Sequence, residues 1–235
     1  IDFGDDVILV TSNFSDAYKA TTGELTKIRD KFGSFADLIL FFSDTVNFRK
    51  KILPEYKGHR NRKKPCGYKR IVNALKINYD VIIMPELEAD DALGIYATKN
   101  PGNMIVSPDK DMKQIPGKLY NLDEVFTVSK EDGAKWHLIQ TLAGDQTDGY
   151  PGVPGIGVKR AEALFKKDGY SWKTVCKAFN DKGYTNLTAI VNARLARILT
   201  ADDYDFTKQE PILWTPASDY QVDDGAGSKD EGDKG

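Results

Sequence analysis

The sequence predicts an α/β fold in which helices flank a mostly parallel central sheet, with a helical subdomain at the C-terminal end. Short apolar runs at residues 36–42, 81–84 and 104–106 have the length and composition of buried strands. Segments of helical periodicity alternate with these runs, which is typical of parallel sheets with crossover helices. After Gly144 the apolar strands cease and short helical patterns take over, so we expect a second subdomain there.

The first predicted helix covers residues 13–32, where apolar side chains recur at helical spacing. The other predicted helices lie at 68–76, 88–98, 130–142, 158–167, 172–179 and 187–199. Weaker strands are expected at 119–122 and 125–128. We therefore expect an α/β core over residues 1–143 that includes a basic arch at 47–80, a helical subdomain over 144–215, and an acidic, disordered tail over 216–235.

The composition is that of an ordinary globular protein, with 235 residues, a net charge of −2, 40% hydrophobic and 29% charged residues. The longest apolar run, residues 38–42, is far shorter than the roughly 20 residues that a membrane helix needs. Cys66 and Cys176 are too few for a disulfide framework and predict thiols in a reducing cytoplasm. Because His59 and His137 are the only histidines, we do not expect a zinc site of histidine and cysteine.

Positive charge is concentrated in residues 49–70, which contain ten Lys or Arg residues against Glu55 alone. Residues 219–235 are the opposite, with six acids and two lysines. A dense basic stretch on a near-neutral body favours local docking of a polyanion such as nucleic acid. A solvated basic loop explains the same charges, and charge alone does not decide between the two.

Acidic side chains follow the predicted strands at the point where each strand ends. These are Asp44 after the first strand, Glu88, Asp90 and Asp91 after the second, and Asp109 and Asp111 after the third. A further pair, Asp145 and Asp148, ends the helix before Gly149, and its spacing places both side chains on one face of a turn. Because the carboxyl ends of parallel strands form one crevice, we expect these carboxylates to converge.

Carboxylates that converge repel one another by several kcal/mol per close pair, so some must be protonated or cations must bind. Oxygen ligands without His or Cys suit Mg²⁺ or Mn²⁺, and two such ions can hold the attacking water and the leaving oxygen of a phosphodiester. Helix N-caps and solvated turns are the alternative for any single acid. Caps do not explain why the clusters follow strands, so the sequence predicts a divalent metal site.

A glycine loop, residues 152–159, precedes the predicted helix at 158–167. Gly152, Gly155 and Gly157 permit close backbone approach, and the N-terminus of the helix offers free N–H groups to a phosphate. The spacing fits neither a dinucleotide-binding loop nor a Walker loop. A hairpin between two helices that grips a DNA backbone and an ordinary helical corner both remain compatible with the loop alone.

The order of these motifs resembles the 5′-nuclease family, which includes phage exonucleases, flap endonucleases and the 5′-nuclease domain of bacterial DNA polymerase I. The motifs are Asp44 with Phe48-Arg49, residues 56–60, Glu88-Ala89-Asp90-Asp91, Asp109-Lys110-Asp111, and residues 144–149 leading into the glycine loop. Residues 42–50 and 63–68 are most similar to the exonucleases of short-tailed lytic phages. The resemblance runs from about residue 1 to residue 215.

The resemblance implies a PIN/5′-nuclease-like core with two metal clusters. Asp44, Glu88, Asp90 and Asp91 match the first cluster, and Asp109, Asp111, Asp145 and Asp148 match the second. Tyr56, Lys57 and Arg60 match a helical arch, in which the Lys and Arg steady the scissile phosphate and the Tyr stacks on a base. The implied cofactors are two or more Mg²⁺ or Mn²⁺ ions.

The glycine loop matches the helix–hairpin–helix element of the family, which binds duplex DNA and can hold K⁺ on its carbonyl oxygens. Gly152, Gly155, Gly157 and Lys159 are therefore expected to contact DNA. The basic side chains of the arch are expected to contact phosphates; they are Arg49, Arg62, Lys63, Lys64, Lys69 and Arg70. Simple solvation of these side chains is the alternative.

The implied function is metal-dependent 5′→3′ exonuclease activity on duplex DNA, with flap endonuclease and RNase H-like activity, in phage replication and primer removal. The implied partners are DNA with 5′ ends or flaps and RNA–DNA hybrid, for a monomer in the cytoplasm of the host cell. Family members begin with a strand that ends in Asp, and we expect Ile1 to align just past it. A DNA-structure-binding module without efficient catalysis is therefore one alternative. A PIN-type ribonuclease is the other, although the glycine loop argues against it.

Overall fold

A computed structural model describes residues 11–33, 36–60 and 64–216 of the chain. Two compact units are present: unit one comprises Ile1–Asn47 and His59–Leu93, and unit two comprises Phe48–Gly58 and Gly94–Gly235. The predictions made for Arg62, Lys63 and the acidic tail from residue 217 onward lie outside the described residues.

Eight α-helices and seven strands are found in the described residues. In chain order they are α1 Phe14–Phe32, β1 Ile39–Phe41, α2 Arg49–Ile52, α3 Tyr68–Asn78, β2 Asp80–Ile82, α4 Ala89–Lys99, β3 Met104–Val106, β4 Gly117–Tyr120, β5 Val125–Val128, α5 Lys130–Ala143, α6 Val158–Asp168, α7 Trp172–Asn180, α8 Asn186–Ala196, β6 Tyr204–Asp205 and β7 Glu210–Pro211. Two 3₁₀ helices, Lys110–Gln114 and Ala201–Asp203, complete the set in this part of the chain.

The strands confirm the α/β class, and two of the four strand pairs in the described residues are parallel. In unit one, β1 pairs with β2 in parallel, with Leu40 opposite Val81. In unit two, β3 pairs with β4 in parallel, and β4 pairs with β5 in antiparallel orientation through the short connection after Tyr120. Within residues 11–33, 36–60 and 64–216 these strands form separate hydrogen-bonded sheets rather than one continuous sheet.

The core of unit two is helical and crosses the predicted boundary at residue 143. Ile139 of α5 shares one buried cluster with Phe165 of α6, Phe179 of α7 and Ala193 of α8. Burial of apolar side chains is the dominant favourable term in folding, so α5 folds together with the helices that follow it. The compact units therefore divide the chain differently from the predicted split at residue 143.

The long helices begin and end close to the predicted residues because their caps are local. The side chain of Asn13 accepts hydrogen bonds from the backbone of α1, and Ser129 does the same for α5. The elements that sequence periodicity missed are short. They are α2 and the two 3₁₀ helices, each shorter than two helical turns, and the two-residue strands β6 and β7. Elements of this length do not complete a hydrophobic period, so pattern reading has nothing to detect.

No helix among the described residues is long and apolar enough to cross a membrane. Both cysteines are free thiols, and Cys66 is exposed whereas Cys176 is buried.

His137 makes the stability of unit two depend on pH. Its ring is buried, and Nε2 lies 2.8 Å from the carbonyl oxygen of Ala193. Burial lowers the pKa of His137 to about 4, below the value of about 6.5 for an unfolded chain. The unfolded state therefore binds more protons between these values, and the stability present above pH 6.5 is lost as the pH falls toward 4.

We expect this single group to cost about 2–3 kcal/mol of folding free energy between pH 7 and pH 4.5. Urea unfolding of the wild type and of His137→Gln at both pH values measures the difference, and His59→Gln at an exposed position is the control. An equal loss of stability in the wild type and in His137→Gln would show that His137 does not titrate as described.

Candidate active site

The first acidic cluster, Asp44, Glu88, Asp90 and Asp91, belongs to unit one. The carboxylate of Asp44 accepts backbone hydrogen bonds from Glu86 at 2.8 Å and from Thr45 at 2.6 Å. These two bonds lower the pKa of Asp44 and favour its ionised form. Glu86 adopts a left-handed φ of 58°, which is a strained conformation for a side chain of this size.

Asp90 and Asp91 lie in the first turn of α4, where the helix dipole favours negative charge. Asp91 is fully buried, and its Oδ2 accepts a hydrogen bond from the backbone N–H of Glu88 at 3.3 Å. One oxygen of Asp91 therefore serves as a helix cap, which was the alternative for single acids.

The second acidic cluster, Asp109, Asp111, Asp145 and Asp148, belongs to unit two. Asp109 caps the 3₁₀ helix Lys110–Gln114, because its side chain accepts the N–H of Asp111 at 2.9 Å. Asp145 Oδ1 accepts the backbone N–H of Thr147 at 2.7 Å and that of Asp148 at 3.2 Å. Short turns after a strand and after a helix thus hold these carboxylates.

The members of the second cluster are close enough to repel one another. Burial, followed by the charge of Asp109, raises the pKa of Asp111 to about 6, and Asp145 and Asp148 contribute in the same direction. Burial, followed by the charges of Asp111, Asp145 and Asp148, raises the pKa of Tyr150 well above its usual value. The cluster therefore carries unfavourable negative charge that an added cation would relieve.

Two lysines and one tyrosine lie against this cluster. Lys57 Nζ is 3.4 Å from Asp148 Oδ2, and Lys110 Nζ is 3.7 Å from Asp145 Oδ2. The hydroxyl of Tyr56 donates to Asp148 Oδ2 at 2.9 Å. Lys57 has a left-handed φ of 56°, and its backbone N–H donates to the carbonyl oxygen of Asp148 at 2.8 Å. This turn holds Lys57 beside the acids.

The expected base-stacking role of Tyr56 is wrong for this structure, because Tyr56 is only 1% exposed. The expected phosphate contact of Arg49 is also wrong, because Arg49 is equally buried. Its Nε donates to the carbonyl oxygen of Leu195 at 3.0 Å, and Nη2 donates to that of Arg197. A guanidinium with these backbone partners ties α2 to the end of α8.

Gly152 is not a DNA contact either, since it is buried and its N–H donates to Asn192 Oδ1 at 3.0 Å. Gly155, Gly157 and Lys159 are exposed in the loop and the first turn of α6. The carbonyl oxygen of Gly155 accepts a hydrogen bond from Arg160 Nη1 at 2.6 Å. Only the later part of the predicted loop therefore presents backbone groups outward.

Four further arch residues that were predicted to contact phosphate belong to unit one and are exposed; they are Arg60, Lys64, Lys69 and Arg70. Lys64 Nζ lies 4.5 Å from the ring centre of Tyr68, and the Arg70 guanidinium lies 4.1 Å from that of Phe14. The charged groups of Lys64 and Arg70 therefore make cation–π contacts on side chains that are exposed to solvent.

Sequence reasoning missed Gln140, which contacts the second cluster from the interior of unit two, and Gln114, which contacts Gln140. Gln140 Nε2 donates to Asp111 Oδ1 at 2.5 Å, and Gln114 Nε2 donates to Gln140 Oε1 at 2.6 Å. The available signal was a glutamine that follows the apolar pair Leu138-Ile139 near the C-terminal end of α5.

No three His, Cys, Asp or Glu side chains converge at metal-ligand spacing in the described parts of the chain. Backbone N–H groups, Lys57 and Lys110 hold the second cluster instead. The donor chemistry nevertheless fits a hard divalent cation, because the cluster offers carboxylate oxygens alone and the half-buried Asp111 is destabilised by like charges.

Comparisons with known proteins identify the family of the chain. Residues 11–136 match the family model described as 5′-3′ exonuclease, N-terminal resolvase-like domain. The exodeoxyribonuclease of Enterobacteria phage T3 is 33% identical over 78% of this chain and 74% of its own length, and the exonuclease of Escherichia phage T7 is 31% identical over 80% and 77%. The solved phage T5 D15 flap endonuclease, in a pseudo-enzyme–product complex with DNA and metal ions, has a TM-score of 0.59 at 19% identity, over 79% of this chain and 81% of that one. The chain therefore belongs to the 5′-3′ exonuclease family of nucleases.

Proposed function

We propose that this chain is a divalent metal-dependent 5′→3′ exonuclease of duplex DNA, with flap endonuclease and RNase H-like activity. The observation that carries the proposal is the second acidic cluster, in which the half-buried Asp111 lies near like charges in a chain of this nuclease family. Such a cluster is costly for stability, and binding a cation that takes part in phosphodiester hydrolysis accounts for its presence.

The proposed ligands are the carboxylates of the two acidic clusters, which were predicted from the sequence. The proposed ions are two or more Mg²⁺ or Mn²⁺ ions. When bound, they supply an activated water and stabilise the leaving oxygen of the phosphodiester. The metal ions in the phage T5 complex support divalent metal dependence, and the oxygen-only donor set favours these two ions over zinc.

Lys57 and Arg60 are proposed to stabilise negative charge on the reacting phosphate. Lys57 Nζ neutralises Asp148 in this structure, so the ammonium already lies beside the cluster in which a phosphate would react. A positively charged donor held at the reacting group lowers the barrier more than one that must be brought there. The strained backbone of Lys57 supports a functional role, because such conformations concentrate at active sites.

DNA is the proposed substrate because the phage T3 relative is named an exodeoxyribonuclease and the phage T5 complex contains DNA. The helical residues 144–215 are proposed to hold the duplex through Gly155, Gly157 and Lys159, with K⁺ as a further ligand of the loop. Lys64, Lys69 and Arg70 are proposed to contact phosphates. Action on RNA–DNA hybrid during primer removal in phage replication, as a monomer, completes the proposal.

The test uses duplex DNA labelled at its 5′ end and compares the wild type with Asp90→Asn plus Asp91→Asn. Asparagine keeps an oxygen that can cap α4 as Asp91 does, so the fold is retained while two charges are lost. Asp123→Asn, in the exposed connection between β4 and β5, is the control. We expect Mg²⁺-dependent cutting to disappear in the double variant only.

Undiminished cutting by the double variant would contradict the proposed mechanism. A gel shift in chelator tests the alternative of a DNA-binding module. A wild type that binds duplex DNA in this assay but does not cut it in Mg²⁺ would identify such a module. Cutting of single-stranded RNA in preference to duplex DNA would identify a ribonuclease.

A further inference from the structure

We propose that Gln140 and Gln114 form a relay that positions Asp111 for cation binding. The inference rests on the proposed function and adds two positioning residues that do not themselves touch the substrate. Both glutamines are buried, with exposed fractions of 4% for Gln140 and 2% for Gln114. Burying a glutamine is costly unless its amide is fully hydrogen-bonded, so two linked buried amides need a reason.

The relay begins at the backbone that follows α8. The N–H of Ile198 donates to Gln114 Oε1 at 3.0 Å, and Gln114 Nε2 donates to the carbonyl oxygen of Ala196 at 2.6 Å. Backbone N–H and C=O groups have fixed roles as donor and acceptor. These two bonds therefore fix the orientation of the Gln114 amide without ambiguity between its oxygen and nitrogen.

The fixed amide of Gln114 in turn fixes Gln140. The second N–H of Gln114 Nε2 points to the amide of Gln140 and requires an acceptor there. That acceptor must be Gln140 Oε1, which lies 2.6 Å from Gln114 Nε2. Nε2 of Gln140 is then the atom that faces Asp111 Oδ1, at 2.5 Å. Asp111 is thus held by a donor whose direction is determined three hydrogen bonds away, at Ile198.

This arrangement has a chemical consequence for the carboxylate. The N–H of Gln140 occupies Oδ1 of Asp111 and leaves Oδ2 as the oxygen that the relay does not use. A neutral donor restricts rotation of the carboxylate and keeps its full negative charge, whereas a lysine in the same place would compete with a cation. Neutral hydrogen-bond partners that orient carboxylate ligands change metal affinity by about 10- to 100-fold.

The test is calorimetric titration of the folded chain with Mn²⁺ alone, without nucleic acid. Asp111→Asn first defines the binding step that depends on Asp111. Gln140→Met keeps the volume of the side chain but removes its donor, and we expect it to weaken that step about 10-fold. Gln114→Met removes the orienting link, and we expect a smaller loss at the same step.

Thr141→Val is the matched control, because Thr141 is fully buried next to Gln140 and donates only to the carbonyl oxygen of His137 in its own helix. It perturbs the interior of α5 without touching the relay, so we expect its Mn²⁺ affinity to equal that of the wild type. Circular dichroism confirms that each variant is folded, and the Gln114→Met variant keeps the test valid if Gln140→Met does not fold.

A relay also predicts that the double variant binds Mn²⁺ no more weakly than Gln140→Met, since Gln114 acts through Gln140. Unchanged Mn²⁺ affinity in both folded single variants would overturn the relay while the proposed nuclease function stands. If the Mn²⁺ titrations of the wild type and of Asp111→Asn show the same binding steps, the metal role of the cluster itself would be overturned instead.

Discussion

Replacing Asp111 by Asn should lower the rate of Mg²⁺-dependent DNA cleavage by about 10³-fold or more, since a ligand carboxylate and its charge are lost together. The same change should raise the thermal midpoint in metal-free buffer. Burial and the charge of Asp109 raise the pKa of Asp111 to about 6, above its value in the unfolded chain. At pH 7 the ionised carboxylate is therefore less favourable in the folded state than in the unfolded state. Activity and stability are therefore expected to move in opposite directions.

Single-turnover cleavage and a metal-free thermal melt measure the two effects on the same preparation. Asp123→Asn removes one exposed carboxylate and should change neither quantity by much. Loss of stability together with loss of activity in Asp111→Asn would contradict the assignment, because it would mean that the charge of Asp111 serves the fold.

Replacing Gly152 by Ala should strongly destabilise unit two. A Cβ at this position would lie 2.3 Å from the backbone nitrogen of Gly144 and 2.5 Å from the carbonyl oxygen of Leu142. Both are backbone atoms that cannot turn aside, and the φ of 60° adds strain for any residue with a side chain. We expect a loss of about 4 kcal/mol or more, which is a large part of the roughly 5–15 kcal/mol by which a typical domain is stable.

Gly157→Ala is the matched control within the same loop, because no atom lies within 4 Å of its added Cβ and its φ is −93°. Gly155→Ala is intermediate, since its added Cβ would make only an ordinary contact, 3.7 Å from Arg160 Nη1, but its φ is 79°. Urea unfolding monitored by circular dichroism should rank the three as Gly157→Ala most stable and Gly152→Ala least stable. Equal stabilities would contradict the close contact of residues 144 and 152.

The sequence predicted the long elements well because their signals are local. The periodicity of α1 and its Asn13 cap lie within the helix itself, and the run at β3 has its polar neighbours immediately on either side. The placement of acids after strands likewise depends on chain order, so Asp44, Asp109 and Asp111 could be named as candidates. Local composition was therefore enough to predict the fold class and most of the candidate acidic residues.

The roles of single polar residues depend on contacts between distant segments, which composition does not reveal. Arg49 lies in the most basic stretch of the chain, yet it is buried against the carbonyl oxygen of Leu195. Tyr56 meets Asp148, which lies 92 residues away in the sequence. Gln140 gives only a weak signal within an apolar run, because its partners, Asp111 and Gln114, lie on another element.

A crystal structure of this chain soaked in Mn²⁺, with anomalous diffraction used to locate the ions, tests the central claim most directly. We expect a Mn²⁺ ion bonded to an oxygen of Asp111 and to at least one carboxylate of Asp145 or Asp148, at roughly 2.0–2.3 Å. Anomalous peaks only at other residues, with Lys57 and Lys110 still paired to Asp148 and Asp145, would contradict the account.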